Sequence, residues 1–236
     1  MINRWQLRLS WFRTKFRKSM PDDKVWRSYF FCNLRFSAQL LNLFEDVVYF
    51  YGPAKARSGQ RTGFAYSEDG IHFRAMPDLL GKFYFRVWQW QDHWYALAKN
   101  NNEGWGELYR GPHPDGPFEL RGNFLKNMRH AAVLVEGHWL RIFYSRVGDA
   151  PERILMASVD MREDWLHWRP TEPVEVIRPS EGYEGIAYPV APSEHGAAVG
   201  VHQLRDPFVM AKKYGEWWCF YSVCGEHGIC GAAVVI

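Results

Sequence analysis

The sequence predicts an all-β chain of the β-propeller type, on three observations: a fourfold internal repeat, spacings in the forties between its copies, and short aromatic strands broken by turn residues. Each copy is an apolar strand followed by a second strand carrying small residues. Residues 46–51 lead to 62–67, 93–98 to 106–110, 138–145 to 154–158, and 216–222 to 228–233. Matching starts lie about 47, 45 and 78 residues apart, and the last gap leaves room for a divergent copy. A period of about 40–45 residues with four short strands per unit is what a propeller blade requires.

The remaining elements fit the same repeat. A strand precedes three of the four strand pairs, at 84–90, 131–136 and 208–212, and Glu136-Gly137 and Tyr214-Gly215 suit the hairpin turns after them. Residues 67–73 and 164–168 read as the turn and outer strand of a blade, and only 3–18 and 35–44 carry a helical period. At about 45 residues per blade, residues 45–236 hold four blades or slightly more, short of a five-bladed ring. Residues 1–44 are read as a basic N-terminal segment that either builds a partial or altered first blade or leaves the ring incomplete. An exposed blade edge invites aggregation, so another segment or association between copies of the chain has to cover it.

Composition narrows the function. The 236 residues are 47% hydrophobic and 17% aromatic, enough apolar area to exclude disorder as the main state. No run of about 18 apolar residues suggests a transmembrane segment. Residues 1–36 carry nine Lys/Arg against two Asp/Glu; the remainder carries 20 against 24 and is mildly acidic. A body of that charge is not a nucleic-acid surface. Met1–Lys18 alternates basic and apolar residues, which reads as a basic tail or a membrane-surface helix rather than a secretory signal, and a cytoplasmic location is expected. Cys32, Cys219, Cys224 and Cys230 show neither zinc nor disulfide spacing and read as reduced thiols. The nine His residues show no ligand spacing either, so neither a metal nor a cofactor is expected. The 12 Trp hint at a stacking surface for sugars, but Trp94, Trp139 and Trp217-Trp218 fall at equivalent strand positions, which packing between blades explains as well.

Polar residues at the start of inner strands converge on one end of a propeller channel. Four such places stand out: Arg86 before Val87-Trp88, Arg129-His130 before Ala131, Glu184 in Tyr183-Glu184-Gly185, and Asp206 in Arg205-Asp206-Pro207. Each of these also reads as a loop residue closing a turn or pairing with a neighbour.

Gln203-Leu204-Arg205-Asp206-Pro207-Phe208 with the following strand 215–222 resembles the Arg-Asp-Pro inner strand of five-bladed β-propeller glycoside hydrolases of families 43, 32, 68, 117 and 130. Ser67-Glu68-Asp69-Gly70-Ile71-His72-Phe73 resembles their recurring Ser-x-Asp-Gly turn. Residues 64–236 are also similar to an uncharacterised bacterial group of such propellers, through 148–155, 183–185 and 203–207. The resemblance implies carboxylate acid/base chemistry on a sugar or oligosaccharide, in which two carboxyl groups flank the scissile bond. It implies Glu184 as the acid and Asp206 as the carboxylate that binds hydroxyls and tunes it, with Asp149 a third candidate. Arg86, Arg129, His130, Arg146, Arg153, Gln203, Arg205 and Trp88 are then substrate-binding candidates. Asp149 equally reads as part of a turn braced by an Asp149–Arg146 or Glu152–Arg153 pair.

Two departures weigh against a full catalytic set. The family's base aspartate comes from the first blade, where this chain offers only Asp22 and Asp23 in no matching motif. The Glu184 motif also precedes the Asp206 motif, the reverse of families 43 and 32. A non-catalytic carbohydrate-binding or scaffold propeller is therefore the second reading, and a basic N-terminus docking on a membrane or partner is a third.

Overall fold

Each of the four sequence repeats is a hydrogen-bonded strand pair. The computed structural model describes residues 4–7, 46–53, 60–67, 72–100, 104–211 and 216–235. The helical stretches at 8–18 and 35–44, Asp22, Asp23, Cys32, the 68–71 part of the Ser-x-Asp-Gly turn and the Tyr214-Gly215 turn lie outside these residues. The pairs are β2 (Asp46–Pro53) with β3 (Gln60–Ser67), β5 (His93–Lys99) with β6 (Trp105–Gly111), β9 (Trp139–Arg146) with β10 (Ile154–Asp160), and β13 (Trp217–Val223) with β14 (Gly228–Val234). The preceding strands are β4 (Arg74–Trp90), β8 (Met128–Glu136) and β12 (Arg205–Ala211), and the outer strands include β7 (Glu119–Lys126) and β11 (Val174–Ile177). Among the described residues no helix is long and apolar enough to cross a membrane.

The strands fall into two compact units, one mainly of β2–β6, the other of β8–β14 with β1 (Arg4–Leu7). In the first, the 17-residue β4 serves two partners, its first half pairing with β3 and its second with β5. Phe64, Leu80, Phe85, Ala96, Ala98 and Tyr109 form its buried cluster. The second unit contains two four-stranded sheets, ordered β11-β10-β9-β8 and β1-β14-β13-β12. One core joins them: Ala132, Phe143, Ile154 and Ile177 pack with Cys219, Tyr221, Val223, Cys230 and Ala232. Residues 219, 221 and 223 share a face because successive strand side chains alternate.

Two expectations change. Arg4–Leu7, expected within a basic tail or a surface helix, is a strand that covers the outer edge of β14. Its polar–apolar alternation, Arg4-Trp5-Gln6-Leu7, has the strand period of two, and it supplies edge cover within the chain itself. The room left for a divergent repeat holds none: residues 178–204 form a long loop with one 3-10 turn, Gly182–Glu184, and no strand. The half-buried Trp94, Trp139, Trp217 and Trp218 lie at the start of the first strand of their pairs.

Candidate functional site: the ends of β8 and β12

The strands that precede three of the four pairs carry the same irregularity. Pairing jumps from Phe83 to Arg86 in β4, from Met128 to Ala131 in β8, and from Arg205 to Phe208 in β12. Each jump leaves two residues outside the ladder: Tyr84-Phe85, Arg129-His130 and Asp206-Pro207. Such bulges re-aim side chains and recur beside functional sites. Pro207 suits the position because it has no N–H to offer a ladder. Asp206 has φ +51, a left-handed backbone that few non-glycine residues adopt and that Asp tolerates.

Within the second unit the two bulges meet. Asp206 Oδ1 pairs with Nδ1 of His130, both side chains being 10% exposed or less. Ser222 donates its hydroxyl to Asp206 Oδ2 at 3.0 Å. The buried carboxylate is thus oriented by a histidine and a hydroxyl together.

Beside this pair lies an ionic triad that the sequence did not announce. Arg129 Nε donates to both oxygens of Glu152, at 2.8 and 3.0 Å, and Arg205 Nε lies 3.4 Å from Glu152 Oε2. Glu152 is fully buried, and each arginine is 1% exposed. Both guanidiniums also donate to the Gly196 carbonyl, at 3.2 and 3.0 Å. Arg129 further reaches the Glu194 carbonyl; Arg205 reaches Gln203 Oε1 and Glu226. Burial lowers the Arg205 pKa, and Glu152 opposes that shift. The geometry therefore commits Arg129, Arg205 and Gln203 to internal partners, where the sequence offered them to substrate. Two arginines from two strands hold one loop, residues 194–196.

Glu184, the implied acid, is fully buried on the 3-10 turn Gly182–Glu184. Its Oε1 accepts the Tyr221 hydroxyl at 2.7 Å, and its Oε2 accepts the backbone N–H of Ser180 and of Glu181 at 2.8 and 3.1 Å. All three partners donate, so both carboxylate oxygens act as acceptors within the protein. Tyr221 and Ser222 are consecutive in β13, so their side chains leave opposite faces of the sheet. Glu184 and Asp206 are therefore held by side chains that leave opposite faces of β13.

Internal contacts hold the other predicted residues. Asp149 lies between Arg146, at 3.2 Å, and Arg153, at 3.4 Å, while Arg153 also meets Glu175 at 2.8 Å. That is the braced turn expected from the sequence, with Glu152 turned inward instead of pairing with Arg153. Trp88 is 2% exposed and stacked on Tyr95 at 5.8 Å. Arg86 is buried in the first unit, 5.4 Å over the Tyr84 ring. Cys219, Cys224 and Cys230 are buried free thiols, and burial pushes up the pKa of Cys219 and of Cys224, with Glu184 adding to the latter. Among the described residues no three His, Cys, Asp or Glu side chains converge as a metal-binding group.

Sequence reasoning missed Glu152 and the structural part of Glu184. The second had a signal: Glu181-Gly182-Tyr183-Glu184-Gly185 has a carboxylate three residues after the cap position and then a left-handed glycine. Glu152 had none, because its partners are 23 and 53 positions away along the chain.

Comparison with known proteins places the fold in a class. No family model matches the chain. An uncharacterised protein of Acanthamoeba polyphaga mimivirus is 32% identical over 185 residues, covering 72% of this chain and 52% of that protein, so the chain spans about half the length of the relative it matches. Among solved structures, a thermostable family-43 glycoside hydrolase matches with TM-score 0.59 at 17% identity, over 83% of this chain and 67% of the other. An α-L-arabinanase of Cellvibrio cellulosa matches with TM-score 0.50 at 14% identity, over 77% and 62%. The fold is the all-β propeller type found in these glycoside hydrolases.

Proposed function

We propose that the chain is a carbohydrate-binding propeller of the glycoside-hydrolase type that does not cleave glycosidic bonds with Glu184 and Asp206. The observation that carries this reading is the division of labour in β13: Tyr221 holds Glu184 on one face and Ser222 holds Asp206 on the other. Hydrolysis needs two carboxyl groups about 5–10 Å apart across one bond, one of them a proton donor. Partners on opposite faces of β13, and three donors on Glu184, support a structural role for Glu184. Asp149, paired with two arginines, does not replace it. The His130–Asp206 pair at the strand ends is the polar group best placed to meet sugar hydroxyls, Asp206 accepting and His130 donating or accepting through its second ring nitrogen.

Glycan-array binding run beside hydrolysis assays on aryl glycosides and oligosaccharides tests the reading. Binding without turnover is expected, with Asp206→Asn weakening the binding. Turnover that both Glu184→Gln and Asp206→Asn abolish, in variants that still fold, would restore the hydrolase reading and overturn this one.

A further inference from the structure

The loop from 182 to 200 carries a concentration of exposed apolar side chains. Of the eleven large exposed hydrophobic residues among those described, five are Tyr183, Ile186, Tyr188, Val190 and Val199. Clustered exposure of this kind marks an interaction site more often than scattered exposure does. Two of these rings, Tyr183 and Tyr188, line a cleft with Gly182, Gly200, Cys224 and His227. Its volume of about 320 Å³ is at the small end of ligand pockets.

The cleft is built before any ligand arrives. Its walls are the 3-10 turn with its continuation to Tyr188, the 198–202 segment, and the β13–β14 turn. Gly200 N–H donates to Cys224 O at 3.1 Å, and Glu226 N–H to Ala198 O at 2.8 Å. The Cys224 thiol donates to Tyr183 O at 3.3 Å, and a His202 ring nitrogen lies 3.2 Å from Tyr188 O. Gly185, at φ +95, brings the turn so close that a Cβ there would lie 2.4 Å from Val201 O. Buried Glu184 fixes the same turn from beneath. Binding would therefore order little new chain, which lowers its entropic cost.

The lining also states the ligand's chemistry. It contains no Asp, Glu, Lys or Arg, so nothing there compensates a formal charge. It offers two phenols and the His227 imidazole, groups that both donate and accept. The glycines leave the rings open: a Cβ at Gly182 would meet nothing within 4 Å, whereas one at Gly200 would sit 3.6 Å from the Tyr188 ring. A neutral ring with apolar C–H faces and a hydroxylated edge fits this combination, and that is a sugar ring. We propose that this cleft is a sugar-ring site, with the ring stacked on the tyrosines and its hydroxyls met by the phenols and His227. The proposal goes beyond the His130–Asp206 reading and stands without it.

The test is saturation-transfer NMR on the full chain with methyl β-D-glucopyranoside, methyl β-D-galactopyranoside and methyl α-L-arabinofuranoside. At least one is expected to bind, and Tyr188→Ala and Tyr183→Ala each to weaken it about tenfold, a change of roughly 1.4 kcal/mol. Tyr188→Phe, which keeps the ring, should leave that binding within a few-fold. Circular dichroism checks that each variant is folded. Wild-type binding to the alanine variants overturns the proposal, as does the absence of a signal from all three glycosides with the wild-type chain. Binding that Asp206→Asn removes and the tyrosine variants keep overturns it too, while leaving the function proposed above intact.

Discussion

Tyr221 and Ser222 are neighbours in β13, yet they hold different carboxylates: the phenol donates to Glu184 Oε1 at 2.7 Å and the serine hydroxyl to Asp206 Oδ2 at 3.0 Å. The arrangement comes from the strand period, which sends adjacent side chains to opposite faces. It separates a bracing carboxylate from one at the strand ends. Tyr221→Phe removes one donor from a buried, otherwise satisfied carboxylate, and leaving such a group short of a partner costs about 1–3 kcal/mol. Urea unfolding is expected to show that loss, with sugar binding through Asp206 unchanged. Equal stability of the variant and the wild-type chain would mean that Glu184 does not depend on this bond.

Much of this fold was legible because strand pairs are local. Four apolar runs followed by small-residue runs at repeat spacing define strand pairs that the structure forms, with Tyr221 opposite Cys230 and Phe143 opposite Met156. The position of Arg129, His130 and Asp206 at the start of their strands was legible for the same reason. Their roles were not, because partner choice is tertiary. Arg129 binds Glu152, and the Gly196 carbonyl lies 67 positions away, through a loop with no periodicity to read. Glu184 resembled a catalytic acid because Glu-Gly is short enough to serve both an acid motif and the end of a capped turn.

The Arg129–Glu152–Arg205 triad yields a second prediction. Breaking a buried ion pair by removing one partner strands the other charge, at a cost of about 3–5 kcal/mol. Glu152→Gln leaves two buried guanidiniums without their shared anion, so its unfolding midpoint should fall sharply. Hydrogen exchange should also quicken at residues 194–200, whose carbonyls at Glu194 and Gly196 the two arginines hold. A variant with unchanged exchange in that loop would show that the clamp is not what positions it.

Asp206 offers a test of backbone against side chain. Its φ of +51 lies where a residue with a Cβ is disfavoured and where Asp and Asn fare best. Asp206→Asn keeps that tolerance and one acceptor for Ser222 or His130. Asp206→Ala loses both, so it should be less stable than the Asn variant by about 1–2 kcal/mol. Chemical denaturation of the two variants side by side checks the order, and the reverse order would contradict it.

Cys219 connects burial to alkaline stability. It is fully buried in the core joining the two sheets, and that burial alone pushes its pKa up to about 12. In the unfolded chain a thiol ionises near about 8.5. The folded state therefore retains a proton that the unfolded state releases as pH rises. The thiol's contribution is complete below about pH 8.5 and is lost progressively up to about 12. Within that window it should make stability fall by about 1.4 kcal/mol per pH unit. Cys219→Ala has no such proton to lose. Its stability, though lower at neutral pH, should decline less steeply between about pH 9 and 11 in denaturant titrations. Parallel slopes for the two chains would show that Cys219 titrates in the folded state much as it does in the unfolded one.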